Sequence, residues 1–379
     1  MKKTCLLIFL ISVIGFQVWA GGVSEDSVTP APSMEMTEIT DALGRQLQVP
    51  QNPEYIICSG PGALRLATYL QAEDLVVAVD DMESERPSFD ARPYALANPG
   101  FTKLPIFGEF RGHDNPELIL TLEPQPQVIF KTYPTSGYDP AELQKKTGIP
   151  VVTLNYGDLV GNREALNHSL RIMAKILNKT ERAESLITYI DEMIIDLQTR
   201  AALVPEDQRI SCYVGGIAYS GPHGIQSTEP AYPPFLFTNA LNVAFEPNKP
   251  IKEQRHADMA KEQIIEWDPE VIFIDVSTMQ SGDLSGALYE LTHQKIFDNM
   301  RAVQGGNIYG VLPYNWYTQN FGSILADAYY VGKVLYPEAF GDIDPVKKAD
   351  DIYTAFVGRP VFEKLNESFG NLIFSKLEQ

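Results

Sequence analysis

Cysteine is scarce in this chain, with three in 379 residues. Cys58 and Cys212 sit in apolar, strand-like runs (YIICSG and ISCYVGG) far apart in sequence, which argues against a disulfide and for buried thiols in separate sheets. Histidine is also rare. His113, His168, His223, His256 and His293 are scattered, with no HxxxH or CxxC spacing to mark a metal site. There is no GxSxG elbow, no GxxxxGK[ST] loop, no HExxH and no GxGxxG after a strand, so the common hydrolase, nucleotide-binding and metalloprotease signatures are missing. Gly60-Pro61-Gly62 follows a strand and suits a phosphate at a helix start, but lacks the rest of a nucleotide fingerprint. Positive charge is short as well: 30 Lys and Arg face 49 Asp and Glu, a net charge of −19. That balance argues against binding nucleic acid or anionic lipid through bulk charge, though not against a local basic pocket.

Long apolar runs are confined to the start. Lys2 and Lys3 precede a mostly apolar stretch from Leu6 to Val18, and Ala20 offers a small residue for cleavage. This reads as a secretory signal peptide over 1–20, too short for a comfortable membrane span. Cys5 precedes the run, so lipidation is not expected. Loss of the two lysines with the signal leaves −21. Residues 21–36 are small, polar and proline-bearing and read as a flexible leader. The expected location is the periplasm, or the outer face of the cytoplasmic membrane.

From residue 37 onward, strand and helix signals alternate, which predicts an α/β fold with mostly parallel sheets. ITDALGRQLQVP (39–50) reads as an edge hairpin turning at Gly44. Residues 162–202 carry helical periodicity broken only near Asn178, and 180–202 spans roughly 33 Å as a helix, enough to bridge two lobes. The division expected is an N-terminal α/β lobe over 37–160, a helical linker with the bridging helix over 161–203, and a C-terminal α/β lobe with C-terminal helices over 204–379. Two segments match in register: Glu117–Pro124 (ELILTLEP) and Glu262–Pro269 (EQIIEWDP), each followed by a Val-Ile-Phe strand. Two similar lobes with a cleft between them follow from this repeat. Ligands in such sheets bind beyond the carboxyl ends of the strands.

ITDALGRQLQVPQNPEYII resembles the N-terminal signature of binding proteins for iron-siderophore, haem and cobalamin ABC importers. NPELILTLEPQPQVIF and EQIIEWDPEVIFID resemble that family's paired helix-strand motifs, with a two-residue insertion at Gln125-Pro126. The resemblance spans residues 38 to about 357. It implies two Rossmann-like lobes joined by one long bridging α-helix, with no catalysis. It further implies an iron complex, haem or cobalamin as ligand, no intrinsic cofactor, and delivery to an ABC permease with its cytoplasmic ATPase. By analogy with the cobalamin-binding members, Glu117 and Glu262 dock onto permease arginines. The plainer reading of both is an acid favoured by a helix N-terminus. A monomer is expected.

Three loops carry the candidate ligand chemistry. In 108–116, Glu109, Arg111 and His113 lie together; Arg111 suits an anionic group and His113 a metal or a hydrogen bond. In 213–235, glycines free the backbone, and Tyr219, His223, Ser227, Thr228 and Tyr232 offer polar groups and flat faces. In 313–322, Asn315, Trp316 and Tyr317 could bond or stack on a planar ligand. Tyr133 occupies the matching exit of the first lobe. His113 and His223 are the candidates for a metal across the cleft. Two alternatives stay open: a small oxyanion such as molybdate or tungstate, favoured by the glycine- and hydroxyl-rich loop, and a cleft enzyme or non-transport sensor with the same lobes.

Overall fold

A computed structural model describes residues 35–282 and 284–377. The expected signal peptide and the leader up to residue 34 lie outside the described residues. A hairpin of β1 (Met36–Thr40) and β2 (Gln46–Pro50) turns through Gly44 and pairs only with itself, as a two-stranded sheet of its own instead of an edge of a larger one. Asp41 ties it down by accepting from Thr153 Oγ1 at 2.6 Å.

The first large sheet uses β3 (Ile56–Ser59), β4 (Val76–Asp80), β5 (Ile106–Glu109), β6 (His113–Asp114), β7 (Val128–Thr132) and β8 (Val151–Leu154), in the order β6-β5-β4-β3-β7-β8. Only the edge strand β6 is antiparallel. The second lobe begins with β9 (Ser211–Gly215), followed by β10 (Ser227–Thr228), β11 (Leu241–Asn242), β12 (Ala257–Asp258), β13 (Val271–Asp275) and β14 (Ile308–Val311). Its parallel sheet runs β11-β9-β13-β14, and β10 pairs with β12 apart from it. The repeat read from the sequence is real in space: helices Pro116–Leu120 and Lys261–Trp267 lead into β7 and β13, which hold equivalent places beside β3 and β9.

The strands are nearly continuous apolar runs because parallel sheets are buried on both faces. Alternate residues serve different cores. Ile56, Cys58 and Phe130 join Val214 and Phe273 in one core shared by both lobes. Ile57 and Ile129 point into a small first-lobe core, and Tyr213 and Ile272 into a second-lobe one. Between the lobes runs the helix Thr180–Ala201, whose Leu186, Ile190 and Leu197 also enter the shared core. It follows helix Arg163–Leu177, which ends at Asn178 in the left-handed conformation. Cys58 and Cys212 are buried free thiols in the two sheets.

The C-terminal helices, grouped with the second lobe on sequence, also close over the first. Helix Pro345–Val357 packs on helices Ala63–Tyr69 and Pro93–Ala97. The rings of Phe356 and Tyr69 lie 4.8 Å apart, and those of Phe369 and Phe89 5.6 Å. Amphipathic periodicity marks a buried face but not the surface that buries it. The tail then returns to β14, where Lys376 bridges Tyr309.

Candidate functional site

The loops leaving the carboxyl ends of strands in the two sheets meet in a cleft. A cavity of about 270 Å³ lies there, lined from the first lobe by Pro61, Met82, Phe110 and Arg111. The second lobe contributes Ala218, the turn Ser220–Pro222, Gln280 and the segment Asn315–Thr318. Among the described residues no aspartate or glutamate lines this cavity, although the chain carries 49 of them. The exposed guanidinium of Arg111 forms no ion pair among the described residues; it lies over the Phe110 ring at 5.2 Å.

The backbone here is unusual. Arg111, Ser220, Tyr317 and Thr318 line the cavity with φ of 60°, 57°, 49° and 66°, and neighbouring Tyr133 has φ 48°. Side chains rarely adopt this left-handed region, least of all a β-branched threonine, and such conformations persist where the surroundings enforce them. The enforcing group is Arg65. Wholly buried, it donates to the carbonyls of Trp316 (2.9 Å), Tyr317 (3.2 Å) and Gln319 (3.0 Å), and to the Tyr156 hydroxyl at 2.7 Å. The carbonyls of 316–319 are thereby drawn toward the first lobe. The N–H groups of Tyr317 and Thr318 have no acceptor among the described residues. The Tyr317 hydroxyl completes the clasp by donating to Asp80 and accepting from the Arg111 N–H at 3.0 Å. Burial pushes the Asp80 carboxyl up to about 7, with Glu83 adding to the rise and the Tyr317 hydroxyl opposing it.

On the far side of the Tyr133–Thr318 contact is a second cavity of about 350 Å³, lined in part by Tyr133, Asn155, Tyr156 and Arg255. Arg255 pairs with Asp158 across the lobes. Beneath the second-lobe loops lies a buried acidic cluster. Glu229 accepts from the Tyr314 hydroxyl, and Asp327 accepts from Tyr232 at 3.3 Å. Burial pushes Glu229 up to about 8 and Asp275 up to about 7, and holds Asp327 well above the usual carboxylate range.

Residues 56–313 match the model of the periplasmic binding protein family. The chain belongs to that family. The molybdate-binding protein MolA of Haemophilus influenzae is 24% identical over 347 residues, which cover 84% of this chain and 90% of the relative. Its molybdate-bound structure has a TM-score of 0.63 at 20% identity, covering 86% of this chain and 98% of that one. A periplasmic solute binding protein of Veillonella parvula has a TM-score of 0.65 at 18% identity, covering 89% and 97%. The haem-binding protein HutB of Vibrio cholerae has a TM-score of 0.53 at 22% identity, covering 75% and 99%. The two-lobed α/β fold of this periplasmic binding protein is the fold of these relatives.

Of the residues singled out from sequence, the structure brings Arg111, Asn315, Trp316 and Tyr317 to one cavity. Asn315 does not point freely into it, because its amide donates to Ala218 O at 2.8 Å. Tyr133 lines the second cavity, with its hydroxyl on Thr318 Oγ1 at 2.7 Å. Tyr219 stacks on His256 with ring centres 4.0 Å apart, and His223 bonds the Tyr219 carbonyl at 2.6 Å, so these two build the second-lobe rim. Burial lowers the pKa of His256. Ser227, Thr228 and Tyr232 are buried: Ser227 donates to Ile217 O, Thr228 to Val214 O and Tyr232 to Asp327, which removes all three from the cleft surface. Glu109 and His113 sit across the β5–β6 turn and line a separate outer cavity of about 480 Å³ together with Glu117. His113 and His223 are therefore not brought together at the cavity. Among the described residues, no cluster of three metal-ligating side chains occurs.

Sequence reasoning missed Arg65, Asp80, Tyr156, Thr318 and Gln280. Arg65 carried a signal: it is a lone cation in ALRLATY, a helix buried at every position. A buried arginine needs several acceptors, and a helix whose carbonyls are already bonded supplies few.

Proposed function

We propose that this protein is the extracytoplasmic binding protein of an ABC importer and that its cleft takes a small, oxygen-rich anion of the molybdate or tungstate kind. The observation that carries the reading is the acid-free cavity of about 270 Å³ with one unpaired guanidinium, in a chain of net charge −19. The volume falls below the roughly 300–1,000 Å³ of sites for drug-sized ligands, which disfavours a haem or a cobalamin. The donors suit an anion. Besides Arg111 there are the free N–H groups of Tyr317 and Thr318 and the buried Gln280 Nε2, which has no partner among the described residues. Successive free N–H groups in a turn form anion-binding concavities. The molybdate-binding relative supports the same ligand class. Binding without turnover is part of the proposal, as is delivery to a permease through Glu117 and Glu262, exposed acids in the first turns of the two repeat helices.

An iron complex or haem is the second reading. The aromatic wall of Phe110, Trp316 and Tyr317 and the adjoining 350 Å³ cavity favour it. Calorimetric titration of the purified protein separates the two. Molybdate or tungstate is expected to bind, and haemin and cyanocobalamin are not; the opposite pattern overturns the oxyanion reading. In cells, Glu117→Lys with Glu262→Lys is expected to abolish uptake while leaving titrated affinity unchanged, and full uptake by that variant rules out the docking role.

A further inference from the structure

Two cavities of similar size flank one contact in the cleft. On one side is the 270 Å³ space beside Arg111, on the other the 350 Å³ space beside Arg255. Thr318 lines the first and Tyr133 the second, and the two side chains meet. The Tyr133 hydroxyl meets Thr318 Oγ1 at 2.7 Å, and the Tyr133 ring stacks on Tyr156 at 6.1 Å.

The parts of this divider differ in how firmly they are held. Tyr156 is 3% exposed, and its hydroxyl is bonded to both Arg65 and the Gln319 carbonyl. Thr318 belongs to the segment gripped by Arg65. Both press on Gly62, where a Cβ would come within 2.2 Å of the Tyr156 ring and 2.7 Å of the Thr318 methyl. Gly62 has φ 82°, so its lack of a side chain lets both groups settle there. Tyr133 has no such support. It is 41% exposed, has φ 48°, and its hydroxyl holds only the bond to Thr318. One hydrogen bond at an exposed site contributes about 1 kcal/mol, little enough for the ring to swing aside.

We infer that the Tyr133–Thr318 contact is a partition that sets the size of solute the cleft accepts, with Tyr133 its movable leaf. Closed, it leaves a compartment fit for a compact anion. Removed, it joins the two compartments into a space that admits a bulky metal chelate, with Arg111 at one end and Arg255 at the other. The inference rests on the reading of the acid-free cavity as the solute site. Fit at a single wall position is enough to select by size, since one methylene more or less in a hydrophobic pocket is worth about 10- to 200-fold.

The test uses the mature chain, a ferric trihydroxamate chelate and molybdate as probes, and quenching of tryptophan fluorescence with calorimetry as readouts. Tyr133→Gly removes the leaf and relieves the positive φ, and leaves Thr318 and the other groups of the anion cavity in place. Thermal melts confirm that each variant is folded. Tyr133→Gly is expected to gain about fivefold or more in affinity for the chelate over the wild type, the factor to which about 1 kcal/mol corresponds, while molybdate affinity changes less than about threefold. Tyr133→Phe, which keeps the ring but loses the bond to Thr318, is expected to gain nearly as much. A folded Tyr133→Gly with wild-type chelate affinity overturns the partition, as does a wild type that already binds the chelate as tightly as the variant. If the wild type fails to bind molybdate, the oxyanion reading fails, and the comparison of chelate affinities still decides the partition.

Discussion

At the scale of single residues, the cleft separates groups that hold the structure from groups left over for a solute. The terminal nitrogens of Arg65 are taken up by three carbonyls and a phenol, and the Tyr317 hydroxyl by Asp80. Arg111 differs. Its backbone is fixed by Tyr317, while its guanidinium is exposed and free of any acid. Arg111→Ala is therefore expected to leave the melting temperature within about a degree of wild type. A hydrogen bond to a charged group is worth about 1.5–3 kcal/mol, so oxyanion affinity is expected to fall by about 10- to 100-fold. Arg111→Lys keeps the charge but loses the fork, and an intermediate loss is expected. Calorimetry on the three proteins checks this, and equal affinities would remove Arg111 from the site. Arg111 could be chosen from the sequence because it stands in a glycine-bearing loop crowded with polar groups. Ser227, Thr228 and Tyr232 satisfied the same rule yet are buried. Hydroxyls and glycines are as dense in a loop that wraps a core as in one that meets a ligand, and only the acceptors at Val214 and Ile217 tell them apart.

At the scale of elements, β7 shows how the sheet aims the loop that carries Arg111. Lys131 points inward with its Nζ on Asp114 Oδ2 at 2.6 Å, Gly112 O at 2.9 Å and Ser59 Oγ at 3.1 Å. The turn from β5 to β6 is thus pinned from below, and Gly112 leaves room for the ammonium, since a Cβ there would lie 2.7 Å from it. Taking away one member of a buried ion pair strands the other, at a cost of about 3–5 kcal/mol, whereas replacing both by apolar groups can be nearly neutral. Lys131→Met is expected to lower unfolding free energy by that amount in urea titrations, and Lys131→Met with Asp114→Leu to recover most of it. Equal losses in the single and double variants would show that the pair does not act as a unit. Elements were the most legible level of this chain. The repeat at Glu117 and Glu262 and the break at Asn178 follow from periodicity. The packing of Pro345–Val357 onto the first lobe was not legible, because a hydrophobic face names no partner.

At the scale of the whole molecule, one core runs through both lobes and the bridging helix, and acids are buried within it. Asp80 and Asp275 are pushed up to about 7 and Glu229 to about 8, and Asp327 is raised well above its usual range, in each case chiefly by burial. These groups hold protons in the folded state at pH values where the unfolded chain has released them. The stability they confer is full below the ordinary carboxylate range near pH 4 and is lost as pH rises through about 7 to 8, with each group contributing up to about 1.4 kcal/mol per pH unit in that window. His256 works the other way, since burial lowers its pKa and favours the folded state at higher pH, but it is one group against four. Asp41, whose pKa is lowered, acts only at the acid end, outside this window. The melting temperature is therefore expected to rise as pH falls from 8.5 to 5.5, the reverse of a protein whose carboxylates are held in salt bridges. Glu229→Gln keeps the shape and the bond from Tyr314 but cannot ionise, so it is expected to flatten the slope and to gain most over wild type at pH 8.5. Melts across this range decide the matter: a wild-type profile that is flat or rises with pH would mean that the buried acids are ionised, with their charge met by something other than the hydroxyls of Tyr232, Tyr314 and Tyr317.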